Sequence, residues 1–297
     1  MNCDISACTS LGLAVKQAVQ AAGWKFVSIP TQIENPQSQV TAMQEALRYK
    51  PSYLITGGIP ETSGWESEVP IYKKDHIGII PLLTDTPVGG GIVGQVGGDV
   101  GTIDGTEAAD WFISDSDGKG SALLVNTTGI EQLTLYSTAF AATVAANCPG
   151  CTVTTLTLAE SESVTSQYDS SIVSDLLANP SIGYVMINHL PFADGLVSAL
   201  SAAGLAGKVK IEGQDADVVA ETEIQNGTAS AMTGNPIAIA SWMAVDLALR
   251  NSEGMKYPPN GYPVPIQLLT QNVNFTPSNS ANPPNIVKSF KALWHVK

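Results

Sequence analysis

Arginine is almost absent from this chain: among 297 residues only Arg48 and Arg250 are arginines. Charged residues of all kinds make up 14%, well under the ~25% of an average domain. The balance is acidic, with a formal net charge of −13. A nucleic-acid-binding face needs a stripe of Lys and Arg to neutralise phosphates; the chain has none, so no nucleic-acid partner is expected. Phosphate and carboxylate ligands are usually gripped by bidentate guanidinium groups, which speaks against an anionic ligand as well. No apolar run approaches the ~20 residues of a membrane span. No signal peptide opens the chain, and it is read as a mature form trimmed of its leader. Three histidines leave little general-base capacity. There is no G-x-S-x-G elbow, no H-E-x-x-H and no P-loop, so catalysis, a metal and a cofactor are all not expected.

Cysteine is scarce too, and its four copies fall in two close pairs, Cys3/Cys8 and Cys148/Cys151. All four could bind one zinc only if the pairs met in space. Cys148-Pro-Gly-Cys151 has a redox-like spacing, but redox cysteines gain their low pKa at a helix N-terminus. This pair instead follows a helical stretch (Leu133–Ala146) and precedes a strand (Val153–Leu158). A structural disulfide pinning a Pro-Gly turn is therefore expected. Paired cysteines suit an oxidising, extracytoplasmic compartment.

What is present is an apolar supply of 44%, ample for a core, on a chain about twice the usual domain length. Strand and helix signals alternate almost without a break, the pattern of parallel α/β sheets. Strands are expected at Lys25–Ile29, Tyr53–Thr56 and Ile77–Leu83, and after Gly120 the rhythm repeats. The final stretch is Pro/Asn/Ser-rich. A parallel lobe normally opens with a central strand, yet only Met1-Asn2-Cys3 stands before the loop at Asp4–Cys8. That first strand is read as cut short, at a cost to its neighbours, which lose a ladder partner.

Residues 181–218 carry the clearest functional signal. The apolar run Ile182–Ile187 stops at Asn188 and His189, a helix follows, and a second apolar run stops at Gln214 and Asp215. Two parallel strands ending in hydrogen-bonding side chains place those groups side by side on the carboxyl edge, where open α/β sheets bind ligands. Two literal motif matches are set aside. Gly89–Gly94 fits G-x-G-x-x-G, but no helix opens on those glycines to aim N–H groups at a pyrophosphate. Asp115–Gly120 begins like a calcium loop and lacks the closing glutamate.

Taken in order, several short segments resemble the type I periplasmic binding proteins, the ribose/sugar-binding class of ABC-transporter receptors. Asn35-Pro36-Gln37-Ser38-Gln39 is similar to the family's helix start after the second strand. Gly98-Asp99-Val100-Gly101 through Ala109 is similar to its first inter-lobe crossing. Gly213-Gln214-Asp215-Ala216 resembles its Gly-Phe-Asp-Gly, and Met232 to Pro236 its return crossing. The two cysteine pairs resemble an actinobacterial subgroup.

The resemblance implies an α/β fold of two similar Rossmann-like lobes with parallel sheets, joined by three hinge crossings, with the ligand in the cleft between them. The first lobe would hold residues 1–101 plus about 236–262, the second 102–235 plus about 263–297. Asp85 and Thr86, Tyr168, Asn188, His189, Gln214, Asp215 and Asn235 would reach the ligand. Asp4 and Ser6 from the first loop, and Trp65 from the Gly58–Trp65 loop, would line the first lobe's side. The partners implied are a sugar or polyol and a membrane permease, with the receptor itself a monomer. The arginines that often grip sugars in this family are missing after Asp85 and from the Thr127–Tyr136 stretch. Two other readings share the α/β pattern. The effector-binding core of a lactose-repressor-like regulator would need a helix-turn-helix ahead of Met1 and would usually dimerise. An α/β enzyme would use Asp85 or His189 in acid–base chemistry.

Overall fold

In the computed structural model the described residues are 1, 6–32, 35–57, 64–159, 162, 167–215, 218–234, 236–276 and 282–296. They form two compact units. The first comprises Met1–Val100, Pro236–Pro265 and Asn282–Lys297; the second comprises Gly101–Asn235 and Ile266–Ala281.

In the second unit, a six-stranded sheet has the order β4-β3-β5-β6-β7-β8. Its strands are β3 (Ser121–Thr128), β4 (Thr152–Ala159), β5 (Tyr184–Ile187), β6 (Lys210–Gln214), β7 (Ala231–Gly234) and β8 (Gln267–Thr270). All neighbours are parallel except β7 and β8. Strand β3 shows why the sheet is covered on both faces. Leu123 and Val125 join one core with Ile172 and Leu176 of α6 (Gln167–Ala178) and Leu196 and Leu200 of α7 (Leu196–Ala202). Ala122 and Leu124, pointing the other way, join Phe112 of α4 (Val100–Asp115) and Tyr136, Phe140 and Val144 of α5 (Glu131–Asn147). A strand buried on both faces reads as an unbroken apolar run, and Ala122–Val125 is one. Helices α4 and α5 approach closely at Gly105, where a Cβ would lie 2.2 Å from the Tyr136 carbonyl oxygen. The remaining helix, α8 (Val218–Asn226), covers the β6–β8 side.

The first unit is built from α1 (Ser6–Ala21), α2 (Pro36–Leu47), α3 (Val69–Lys74), α9 (Ile237–Ser252) and α10 (Ile286–Leu293), around β1 (Tyr53–Gly57) and β2 (Gly78–Leu82). Those two strands form a parallel pair. Helix α2 starts as its sequence dictates: Pro36 fits the first turn, and the Asn35 side chain accepts a hydrogen bond from the Ser38 N–H at 3.3 Å. Gly89, Gly90 and Gly91 all have positive φ, and the next helix opens only at Val100. They form a loop, as expected.

Two expectations need correction. Lys25–Ile29 alternates like a strand but is not in one; among the described residues it has no ladder partner. The Pro/Asn/Ser-rich end contains α10, which docks on α9. Trp294 stacks on Trp242 at 5.2 Å and its indole N–H donates to Asp246 at 2.9 Å. Residues from Asn282 onward therefore belong to the first unit, not the second. The chain changes unit after Val100, Asn235, Pro265 and Ala281.

The Cys148–Cys151 disulfide is present, with Cys148 capping the C-terminus of α5. Cys8 is also disulfide-bonded, while Cys3 lies outside the described residues.

Candidate functional site

The carboxyl ends of β3, β5, β6 and β7 share one edge of the second unit's sheet. The chain leaves β3 to one side, towards β4, and then returns to the other side as β5. This reversal opens a crevice between β3 and β5, and polar residues gather there. Asn188, directly after β5, is fully buried. Its Oδ1 accepts from the Thr127 N–H at 3.0 Å. Its amide nitrogen is within reach of the carbonyls of Thr127 and Leu133 (3.0 and 3.2 Å) and of Asn126 and Ser137 side chains (3.3 Å each). Asn188 thus locks the end of β5 to β3 and α5, and its amide is committed to the protein. Gln214 is buried beside it and donates to the Asn188 carbonyl at 2.6 Å, while its own Oε1 has no partner among the described residues.

Above this bracket sit His189 and Asp215. The Nδ1 of His189 lies 3.3 Å from Asp215 Oδ2, and Gln132 Nε2 approaches the same oxygen at 3.5 Å. The His189 ring is held edge-on by Phe192, 4.3 Å between centroids. Asp215 has φ of 61°, a left-handed conformation that side chains other than glycine seldom adopt. Such strain concentrates at sites where a side chain must be aimed. The carboxylate of Asp215 is partly accessible, at 17%, so it can accept from a ligand's hydroxyls while His189 and Gln132 hold it.

Beneath Asp215 lies a layer of buried acid that the sequence reading passed over. Asp104 of α4 is fully buried, with the Thr233 hydroxyl as a weak hydrogen-bonding neighbour and no well-formed hydrogen bond to its carboxyl oxygens among the described residues. Burial first, and then the neighbouring Asp215, push its pKa well above the carboxylate range. Glu212 of β6 is buried and accepts a 2.5 Å hydrogen bond from the Tyr136 hydroxyl. Burial raises Glu212 to about 8 against the pull of that hydrogen bond. Both carboxyls therefore favour the protonated form, which spares the fold two buried charges. The signal for Glu212 was a charged residue inside the run Ile211-Glu212-Gly213; Asp104 and Gln132 carried none.

Tyr168, expected to reach the ligand, is buried in the unit's core in edge contact with Phe192, and its hydroxyl pairs with Thr127 Oγ1 at 2.8 Å. Burial raises its pKa to about 12. Asn235 lies outside the described residues.

In the first unit, Trp65 is a core residue packed with Met43 and Tyr72 rather than a lining group. Asp85 is exposed on the loop after β2. Thr86 is buried, with its N–H donating to Gln95 Oε1 at 2.8 Å. Asp4 lies outside the described residues, as does the side chain of Ser6. Neither arginine reaches a site residue. Arg250 is paired with Asp246 at 2.7 Å, and Arg48 is exposed at the end of α2.

Comparison with known proteins agrees with this geometry. A family model described as a periplasmic binding protein domain matches residues 6–256, more than half of the chain. The D-xylose-binding periplasmic protein of Escherichia coli (strain K12) is 31% identical over 111 residues, which is 37% of this chain and 32% of that protein. Its Haemophilus influenzae counterpart is 36% identical over 96 residues, covering 28% and 29%. The chain thus aligns with about a third of the length of these curated relatives. A solute-binding protein from Burkholderia graminis in complex with D-arabinose superposes with a TM-score of 0.80 at 15% identity, covering 90% of this chain and 92% of that one. One from Actinobacillus succinogenes with bound D-allose gives 0.78 at 17% identity, covering 91% and 95%. At these identities the superpositions speak for the fold. Family model, sheet order and paired α/β units together place this chain in the periplasmic binding protein family, in its sugar-binding type I class.

Proposed function

We propose that the protein is an extracytoplasmic solute receptor of an ABC importer, binding a small neutral sugar or polyol. The observation that carries this is Asp215, strained, partly accessible and oriented by His189 and Gln132 at the sheet's switch point. A carboxylate accepting from adjacent hydroxyls suits a vicinal diol. The scarcity of arginine, two residues of which Arg250 is paired with Asp246, disfavours phosphate or carboxylate ligands. The disulfide at Cys148–Cys151 suits an oxidising compartment. Relatives named for D-xylose, D-arabinose and D-allose make pentoses and hexoses the first candidates.

In this reading Met1–Val100 with Pro236–Pro265 and Asn282–Lys297, and Gly101–Asn235 with Ile266–Ala281, act as lobes that close on the ligand, the first contributing Asp85 and Thr86 and the second Asp215. Asp4, Ser6 and Asn235 would complete the shell. Tyr168 and Asn188 would position it from behind, and Trp65 would support the first lobe's wall. The ligand shifts the population towards the closed form by its differential affinity, and a membrane permease reads that form. The receptor works as a monomer, binds no nucleic acid and does not transform its ligand: His189 is engaged by Asp215 and Phe192, with no nucleophile assigned to it.

A thermal-shift screen against aldopentoses, aldohexoses, polyols, amines and sugar phosphates tests the proposal. At 100 times its Kd a ligand adds about 2.7 kcal/mol, a shift of several degrees. A stabilising neutral sugar is expected. Stabilisation by sugar phosphates or amines alone would refute the ligand class, and disappearance of the bound sugar as product would mark an enzyme.

A further inference from the structure

In the loop after β2, Thr84 and Thr86 are buried and Asp85 between them is exposed. The two buried residues are tied to each other across it, the Thr86 hydroxyl donating to the Thr84 carbonyl at 3.4 Å. A side chain from another segment completes the anchor: Gln95 Oε1 accepts the Thr86 N–H at 2.8 Å. That N–H belongs to the peptide joining Asp85 to Thr86, so the bond fixes the plane that sets ψ of Asp85. Held there and at its buried flanks, the residue points its Cα–Cβ bond in one direction.

Gln95 sits on a backbone that is itself pinned from two sides. Val96 is bridged in parallel to Leu82 at the end of β2 and to Tyr262. Towards β2, the Leu83 N–H donates to the Val96 carbonyl at 2.8 Å and the Val96 N–H to the Pro81 carbonyl at 3.0 Å. On the other side, the Tyr262 N–H donates to the Gln95 carbonyl and the Gly97 N–H to the Tyr262 carbonyl, each at 2.8 Å. The Tyr262 hydroxyl in turn donates to Asp246 of α9 at 2.9 Å, an acceptor shared with Arg250 at 2.7 Å. Two glycines leave room for this packing. A Cβ on Gly261 would lie 1.8 Å from the Gln95 carbonyl oxygen, and one on Gly98 would lie 2.4 Å from Gln95 Oε1. A side chain at either position would displace the Gln95 backbone or its amide.

We infer that Gln95 is a positioning residue for ligand binding, aiming the Asp85 carboxylate by holding the Asp85–Thr86 peptide from a backbone pinned between β2 and Tyr262. The inference rests on the reading of Asp85 as a ligand contact given above. A carboxylate that must be ordered when the ligand arrives subtracts that ordering from the affinity. One held in advance by Gln95 does not. Gln95 acts through Asp85 and Thr86, so its effect on binding exists only while Asp85 is there to be aimed.

The test compares the parent with Gln95→Leu, which has no acceptor, Gln95→Glu, which keeps one, Asp85→Ala, and Asp85→Ala combined with Gln95→Leu. Affinity is read by titration calorimetry with whichever of D-xylose, D-arabinose and D-allose binds the parent, and exchange of the Thr86 amide is read alongside. Gln95→Leu should bind about tenfold more weakly, the loss of one aligned hydrogen bond to a charged group. Gln95→Glu should recover most of that loss. In the Asp85→Ala background, Gln95→Leu should cause no further loss, since coupled residues are not additive. The Thr86 amide should exchange slowly in the parent and in Gln95→Glu, and fast in Gln95→Leu. A Gln95→Leu protein that binds the sugar as the parent does, or whose loss is undiminished once Asp85 is gone, would overturn the inference. Full affinity in Asp85→Ala would instead remove Asp85 from the ligand site, and the inference with it. Should none of these sugars bind the parent, Thr86 exchange decides: equal rates in parent and Gln95→Leu refute the hold on the Asp85–Thr86 peptide, and faster exchange in the variant upholds it.

Discussion

Replacing Glu212 by glutamine should change how the second unit's stability responds to pH. Glu212 is buried against Tyr136, and burial raises its pKa from 4.5 to about 8. The folded state therefore holds a proton that the unfolded chain releases. Its contribution is fully present below pH 4.5 and is lost as pH rises to about 8. At 1.36 kcal/mol per unit, that interval corresponds to a ceiling of about 5 kcal/mol end to end. Glutamine keeps an acceptor for the Tyr136 hydroxyl and cannot ionise, so the variant is relieved of this loss. Urea unfolding followed by circular dichroism at pH 5, 6, 7 and 8 measures it. The variant should exceed the parent by under about 1 kcal/mol at pH 5 and by about 4 kcal/mol at pH 8. Other groups titrate in both proteins, so the difference isolates Glu212. Two stability curves running parallel from pH 5 to 8 would refute a protonated Glu212 in the fold.

Three further outcomes follow from the packing. Asn188→Ala leaves the buried Thr127 N–H and two carbonyls unpartnered; at about 1–3 kcal/mol per orphaned group, it should lower the urea midpoint sharply, and Asn188→Asp should restore only the Thr127 bond. Replacing Cys148 and Cys151 together by serine removes a crosslink with a sequence separation of 3, which on chain entropy amounts to about 2 kcal/mol or less, so a modest fall in Tm and an intact fold are expected. Gly105→Ala forces a methyl to within 2.2 Å of the Tyr136 carbonyl, and a loss of more than about 2 kcal/mol in a denaturation curve would verify the close approach of α4 and α5.

The second unit was legible in the sequence because its strands are covered on both faces. Runs such as Ala122–Val125 and Ile182–Ile187 announce themselves, and polar residues marked where they end. Asn188, His189, Gln214 and Asp215 were found that way, and the structure brings them together at one crevice. What differed was which of them remain accessible. Periodicity tells a strand's end from its middle, but not that Asn188 is consumed by a bracket or that Tyr168 and Trp65 face a core. Asp104 was invisible because one acid in a helix's first turns looks like any exposed helix residue. The misreadings at the two ends share a different cause. Lys25–Ile29 has the pattern of a strand, yet strand formation depends on a ladder partner remote in sequence. Helix α10 hides behind a Pro/Asn/Ser-rich approach, and its docking rests on Trp242 and Asp246, some forty residues upstream.

The account stands or falls on Asp215. The direct measurement is isothermal titration of the protein with D-xylose, D-arabinose and D-allose in turn, followed by the same titration of Asp215→Ala with whichever sugar binds. A charge-assisted hydrogen bond is worth about 1.5–3 kcal/mol, so the variant should bind at least about tenfold more weakly while its far-UV spectrum and its Tm without sugar stay those of the parent. Equal affinity in the two proteins would move the site away from the edge shared by β5 and β6 and contradict the proposal.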